Sequence, residues 1–141
     1  MSLVIDAPVL VDIFAPRDEA RRKLAVELLR LARGKPKYAP NMMLVELAGV
    51  ISRYDADLAR RNMVLLDEAE ILASCLDIAL ETGCRAADAY YIATAKLTNS
   101  MLISNDRTQV ENAKKAGIRA YFLMEEHGTV FPLISGLSPK G

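Results

Sequence analysis

Short apolar runs alternate with longer stretches of helical periodicity along this chain. Residues 2–6 and 101–104 are continuous apolar runs next to an acid, and they predict buried β-strands. Weaker strand predictions fall on residues 37–39, 69–73 and 119–123. Strands that alternate with helices are typical of a parallel sheet with right-handed crossovers. The pattern therefore predicts an α/β fold.

The predicted helices follow from apolar positions three and four residues apart and from end signals. Pro8 opens the first helix, and Gly34 ends the second. Predicted helices after the first cover residues 17–33, 41–54, 55–66, 76–82, 86–98 and 107–116. From Glu125 the sequence lacks periodicity. We therefore expect one domain over residues 1–124 and a C-terminal tail over 125–141.

Composition supports a single globular domain and excludes several other kinds of chain. Of 141 residues, 52% are hydrophobic and 26% charged, which excludes disordered and low-complexity proteins. No apolar run approaches the roughly 18 residues of a membrane span. Asp6 interrupts the N-terminus where a secretory signal stays apolar, and the two cysteines lack metal-binding spacing. We expect a cytoplasmic protein with no membrane partner.

The charges cancel overall but are unevenly distributed. There are 18 Lys and Arg and 18 Asp and Glu, so no global field attracts nucleic acid. Residues 17–37 nevertheless hold eight Lys or Arg against three acids. This segment predicts either a guide for a phosphate backbone or a solvated helix face. Tyr90 and Tyr91 are more typical of core packing than of stacking on a base.

Four acids occupy positions that are unusual for a solvated surface. Asp6 and Asp106 follow predicted strands, at the sheet edge where α/β proteins bind ligands. Glu46 lies at the edge of an apolar helix face, and Asp88 lies in the first turn of a largely apolar helix. Each aspartate alone also suits a helix N-terminus. Together, with no His or Cys beside them, the four predict a Mg²⁺ or Mn²⁺ site rather than a zinc site.

The segments around these acids resemble the PIN domain family. They are VIDAPVLVDIF with Asp6, LVEL with Glu46, AADAYYIATA with Asp88 and LISND with Asp106, in the family's order over residues 3–123. The resemblance is closest to small VapC-type toxins of toxin–antitoxin pairs. It implies a three-layer fold, with a parallel sheet of about four or five strands between helices. It also implies a Mg²⁺- or Mn²⁺-dependent endoribonuclease whose metal ligands are these four acids.

Further expectations come from the same resemblance. It implies that Ser104 supports the last acid, that RNA is the substrate, that a small antitoxin is a partner and that the chain forms a homodimer. One departure is Pro8, where the family commonly has Ser, Thr or Asn, and losing such a group weakens a metal site. The alternative function is therefore a PIN-fold module that binds RNA or protein with weak or no catalysis. Asp12, one helical turn later, is either a substitute polar contact for the missing group or, as we expect, a solvated helix residue.

Overall fold

A five-stranded parallel sheet forms the centre of the computed structural model, which describes residues 1–15 and 17–136. The strands are β1 (Leu3–Ile5), β2 (Lys37–Pro40), β3 (Val64–Leu66), β4 (Met101–Ser104) and β5 (Ala120–Phe122). Their order across the sheet is β3-β2-β1-β4-β5. Ile5 of β1 is paired with Ile103 of β4. The residues that follow these two central strands therefore meet at one edge of the sheet.

The described residues form eight helices around this sheet. They are α1 (Ala7–Phe14), α2 (Glu19–Leu31), α3 (Met42–Ala48), α4 (Arg53–Arg61), α5 (Glu68–Thr82), α6 (Ala86–Thr98), α7 (Arg107–Lys115) and α8 (Leu123–Ser135). Right-handed crossovers place α1 to α4 on one face and α5 to α7 on the other. The last helix, α8, packs against α2. The predicted three-layer α/β fold is confirmed. No described helix has the length and apolarity needed to cross a bilayer.

The two central strands form where the sequence predicts them. Every residue of β1 and the first three residues of β4 are completely buried. A strand covered on both faces has no polar side and reads as a continuous apolar run. The core therefore lies on both faces of β1 and β4.

The prediction of a strand at residues 69–73 is wrong. This segment lies in α5, where Ile71, Cys75 and Ile78 are buried at helical spacing. The third strand is instead β3, which lies inside the stretch predicted to be helical up to residue 66. It is an edge strand of only three residues, and its first residue, Val64, is exposed. Such a short, half-exposed segment carries little of the alternation that identifies a strand.

The helix predicted over residues 41–54 ends earlier than expected, and the next predicted helix starts earlier. α3 ends at Ala48, before Gly49, and α4 begins at Arg53, after Ser52. The Ser52 hydroxyl accepts a hydrogen bond from the backbone N–H of Asp55 at 3.1 Å. This cap satisfies an amide that the end of a helix otherwise leaves free, and it fixes a new helix start.

The C-terminal segment is more ordered than the expected tail. Residues up to Ser135 belong to α8, which buries Leu123, Val130 and Ile134. Gly128 and Pro132 interrupt the sequence pattern, and this masks the helical spacing of the three buried residues. Residues 137–141 lie outside the described residues. The division between domain and tail at residue 124 stays a prediction.

Candidate active site

Asp6 and Ser104 meet where β1 and β4 end side by side. Asp6 is only 6% exposed, and its backbone N–H donates to the carbonyl of Ile103 at 3.0 Å. The buried Ser104 hydroxyl donates to Asp6 Oδ2 at 2.7 Å. The Ser104 oxygen also accepts a hydrogen bond from the backbone N–H of Asp106 at 3.0 Å. Ser104 thereby joins the first acid to the loop that carries the last one.

The electrostatic environment of Asp6 disfavours its negative charge. The pKa of Asp6 is raised from 3.8 to about 7, chiefly by burial and to a smaller extent by the nearby carboxylates of Glu46 and Asp88. The hydrogen bond from Ser104 acts in the opposite direction but does not compensate. Within the described part of the chain, Asp6 has no ion pair with Lys or Arg. Ionised Asp6 therefore lacks a counter-charge.

Glu46 reaches the same edge of the sheet from α3, and its hydrogen-bond partner Tyr91 comes from the other layer of helices. The Tyr91 hydroxyl of α6 donates to Glu46 Oε1 at 2.8 Å. Burial raises the pKa of Glu46, the hydrogen bond from Tyr91 lowers it, and the charge of Asp88 raises it. Tyr91 is 1% exposed, so its ring packs in the core as expected. Its hydroxyl orients Glu46, a role that the sequence analysis missed.

Helix capping accounts for only part of the acidic cluster. Asp6 precedes α1 and Asp88 lies in the first turn of α6, yet neither helix has a side-chain cap. Asp106 does cap α7, because its Oδ1 accepts from the backbone N–H groups of Thr108 at 2.9 Å and Gln109 at 3.4 Å. Its Oδ2 makes neither of these bonds. The capping interpretation therefore holds for one oxygen of one aspartate.

Arg85 is the cation nearest to the last two acids. Its Nε lies 3.7 Å from Asp88 Oδ2, and its Nη2 lies 3.9 Å from Asp106 Oδ2. The Arg85 side chain is 80% exposed, and ion pairs of this length in water contribute little. The pKa of Asp88 is raised in spite of Arg85, because burial outweighs the attraction and Asp106 adds repulsion. Arg85 therefore does not neutralise the cluster.

The structure brings the four predicted acids into one electrostatic cluster. Asp6 interacts with Glu46 and Asp88, and Asp88 interacts with Asp106. In the part of the chain that the structure describes, no three Asp, Glu, His or Cys side chains form a ready metal-ion site. The side chains nevertheless fit a hard divalent cation, because carboxylate oxygens are the ligands that such ions prefer and because burial makes a negative charge costly without a cation beside it. Their role as metal ligands stays a prediction.

Asp12 differs from its expected place on a solvated face. It is 5% exposed, and its Oδ2 accepts from Arg21 Nε at 3.1 Å and from Asn105 Nδ2 at 3.3 Å. Asn105 in turn accepts from the backbone N–H of Met124 at 3.2 Å. Asp12 is therefore a buried anchor beside the acidic cluster. The sequence signal was weak, because its two partners, Arg21 and Asn105, lie in two other parts of the chain.

Comparisons with known proteins agree with this architecture. The family model described as "PIN domain" matches residues 3–115 of the chain. A solved structure described as VapBC2 from Rickettsia felis, bound to a DNA fragment from their promoter, superimposes with a TM-score of 0.64. That match covers 86% of this chain and 98% of the other at 12% sequence identity, so it shows a shared fold. No curated protein sequence matches this chain.

Proposed function

Because this chain belongs to the PIN domain family, we propose that it is a nuclease that hydrolyses RNA phosphodiester bonds with Mg²⁺ or Mn²⁺. The observation that carries the proposal is the buried carboxylate of Asp6. Its pKa is raised to about 7 beside Glu46 and Asp88, and no protein cation compensates it among the described residues. PIN domains are generally nucleases, and a phosphodiester adds further negative charge to such a site. A divalent cation would neutralise both the charge of the carboxylates and the charge of the phosphodiester.

The proposed metal ligands are Asp6, Glu46, Asp88 and Asp106. When bound, a divalent cation lowers the pKa of water and neutralises charge on the phosphate and the leaving oxygen. The acids come from the ends of β1 and β4 and from α3 and α6. Substrate would therefore reach them across the open carboxyl edge of the sheet.

Three neighbouring contacts would hold these ligands in position. Ser104 orients Asp6 through a 2.7 Å hydrogen bond, and Tyr91 orients Glu46 through one of 2.8 Å. The backbone amides of α7 hold Oδ1 of Asp106, and its Oδ2, which lies 3.9 Å from Arg85 Nη2, would remain to bind a metal ion. Preorganised ligands lose little conformational freedom on binding, which favours metal affinity.

The biological role that we propose is the toxin of a toxin–antitoxin pair. The support is the PIN family and the fold shared with VapBC2. A groove of about 540 Å³ also lies between α1, α2 and α4. Its apolar lining includes Leu10, Phe14, Val26, Leu29, Leu58 and Met63. An amphipathic helix of a small antitoxin would fill such a groove with its apolar face.

A second copy of this chain is the partner proposed for α5. Leu72, Leu76 and Leu80 are 59%, 58% and 77% exposed, and their four-residue spacing places them on one side of the helix. A two-fold axis would bring identical stripes together and remove them from water. We expect light scattering to give the mass of a dimer, and Leu76→Glu to give a monomer. Leu97→Glu, at an exposed leucine of α6, is the control that should remain dimeric.

One feature favours the alternative function of a binding module with little catalysis. Pro8 stands two residues after Asp6 and offers neither a hydroxyl nor an N–H to the site. A metal shell without that support can lose about 10- to 100-fold in affinity or activity. This alternative predicts RNA binding without metal-dependent cleavage.

The nuclease proposal is tested by incubating the full chain with structured RNA in Mn²⁺ or in chelator. We expect cleavage that needs Mn²⁺ and that is lost in Asp6→Asn and Asp106→Asn, with the circular dichroism spectrum unchanged. Asp77→Asn, at an exposed aspartate of α5, is the matched control and should cut normally. Cleavage that persists in chelator or in both site variants contradicts the proposal. RNA binding without any cleavage supports the binding-module alternative.

A further inference from the structure

A cleft of about 460 Å³ opens beside Glu46, next to the acidic cluster. Pro8 and Val11 of α1 line it, and Glu46 of α3 lines it as well. The cleft is also lined by Arg17, just before α2, and by Arg21, in the first turn of α2. Since Glu46 lines the cleft and also belongs to the acidic cluster, the cleft adjoins the proposed catalytic site.

Arg21 is fixed in this cleft by a buried carboxylate. Its Nε donates to Asp12 Oδ2 at 3.1 Å, and Asp12 is 5% exposed. That bond uses only one of the three guanidinium nitrogens. Among the described residues, Arg21 Nη1 and Nη2 have no hydrogen-bond acceptor, while the side chain remains 35% exposed. Arg21 therefore presents a rigid pair of donors, the arrangement that suits a phosphate.

The carboxylates that line the cleft are already engaged by protein donors. Asp12 accepts from Arg21 and from Asn105. Asp18 caps α2 and accepts from the backbone N–H groups of Ala20 at 2.7 Å and Arg21 at 3.2 Å. Glu46 accepts from the hydroxyl of a buried tyrosine. One oxygen of each of these carboxylates is thus held by a protein donor. The hydrogen-bond donors that the cleft offers to a ligand are the guanidinium groups of Arg17 and Arg21 beside an apolar floor, which favour an anion carried on a less polar scaffold.

We propose that this cleft binds the RNA backbone beside the cleaved bond, with Arg21 holding a neighbouring phosphate and Arg17 assisting. The inference rests on the proposed ribonuclease function and assigns its substrate-positioning residues. The apolar floor of Pro8 and Val11 would pack against ribose or base. Arg22, the next residue of α2, differs from Arg21. Its Nη1 lies 3.9 Å from Glu19 Oε1, and neither Arg22 nor Glu19 lines the cleft.

The test measures RNA affinity and cleavage separately. Affinity is measured by fluorescence anisotropy of a labelled single-stranded RNA, in an Asp106→Asn background that prevents cleavage. Arg21→Gln should weaken binding about tenfold and lower the slope of log affinity against log salt by about 0.7, the value for one lost phosphate contact. Arg22→Gln is the matched control on the same helix and should bind like the parent. In the Mn²⁺-dependent cleavage assay, Arg21→Gln should raise KM and leave kcat unchanged.

A second variant protects the result against simple unfolding. Arg21→Gln leaves Asp12 buried without its cation, so Asp12→Asn/Arg21→Gln restores a neutral pair and should show the same loss of RNA affinity. Arg17→Gln touches no described partner and should also weaken binding.

Several outcomes would overturn this assignment. Unchanged affinity and salt slope in both Arg17→Gln and Arg21→Gln would show that the cleft does not bind RNA. If the parent bound a polyglutamate peptide, and Arg17→Gln and Arg21→Gln lost that binding but kept RNA binding, the cleft would be assigned to an acidic protein partner instead. The two proposals can fail separately. RNA binding that depends on Arg21 but is not followed by cleavage would contradict only the nuclease proposal. Cleavage with the same KM in Arg21→Gln as in the parent would contradict only the RNA-binding role of the cleft.

Discussion

Replacing Asp6 with asparagine should stabilise the metal-free protein at alkaline pH. The pKa of Asp6 is raised from 3.8 to about 7 in the folded state, chiefly by burial. The folded state therefore holds this proton more tightly than the unfolded chain, and stability falls as the pH rises between these two values. Once the pH is high enough to ionise Asp6 in both states, the full rise in pKa corresponds to a loss of about 4 kcal/mol in the free energy of unfolding. Asparagine keeps an oxygen that accepts from Ser104 and carries no charge.

The measurement is urea unfolding in chelator at several pH values. At pH 8, Asp6→Asn should be more stable than the parent by up to about 4 kcal/mol, and near pH 4 the two should agree. Adding Mn²⁺ at a hundredfold excess over its Kd should stabilise the parent by about 2.7 kcal/mol and the variant by much less. A variant that is less stable than the parent at pH 8 would refute the reasoning, since it would mean that ionised Asp6 is compensated in the folded protein.

Three further predictions probe the neighbouring contacts. Asp12→Asn should destabilise the protein by about 1–3 kcal/mol in urea unfolding, because it removes a buried carboxylate from Arg21; a stabilised variant would contradict the ion pair. Tyr91→Phe should weaken Mn²⁺ binding by about 10- to 100-fold in calorimetry, with a normal unfolding midpoint, because Glu46 loses its donor. Deletion from residue 123 onward should abolish cooperative unfolding by circular dichroism, because α8 buries three large side chains against the core; a stable truncated chain would make that packing dispensable.

The sequence predicts the central part of the fold because its signals are local there. The apolar runs of β1 and β4 are buried on both faces, so no polar position obscures them. The acids directly after such strands must lie at the carboxyl edge of the sheet, which made Asp6 and Asp106 predictable as neighbours. Ser104 was expected only from the resemblance to the PIN domain family, and it lies at the end of β4.

The mistakes arise where tertiary contacts decide between local alternatives. Five residues around Ile71 fit a strand as well as a helix, and packing of α5 against α6 decides for the helix. The Asp12 carboxylate is buried because Arg21 returns to it from the next helix, which no periodicity reveals. The hydroxyl of Tyr91 meets Glu46 only after helices from opposite faces of the sheet have docked.

The bond between Ser104 and Asp6 joins residues that are 98 positions apart. During synthesis, the first acid leaves the ribosome long before the strand that completes its surroundings has been translated. A nascent or half-folded chain therefore carries Asp6 without its neighbours, and any nuclease activity built on this cluster must await nearly the whole polypeptide. For a protein proposed to cut RNA, we therefore expect no cleavage by a chain that has been made only as far as α6.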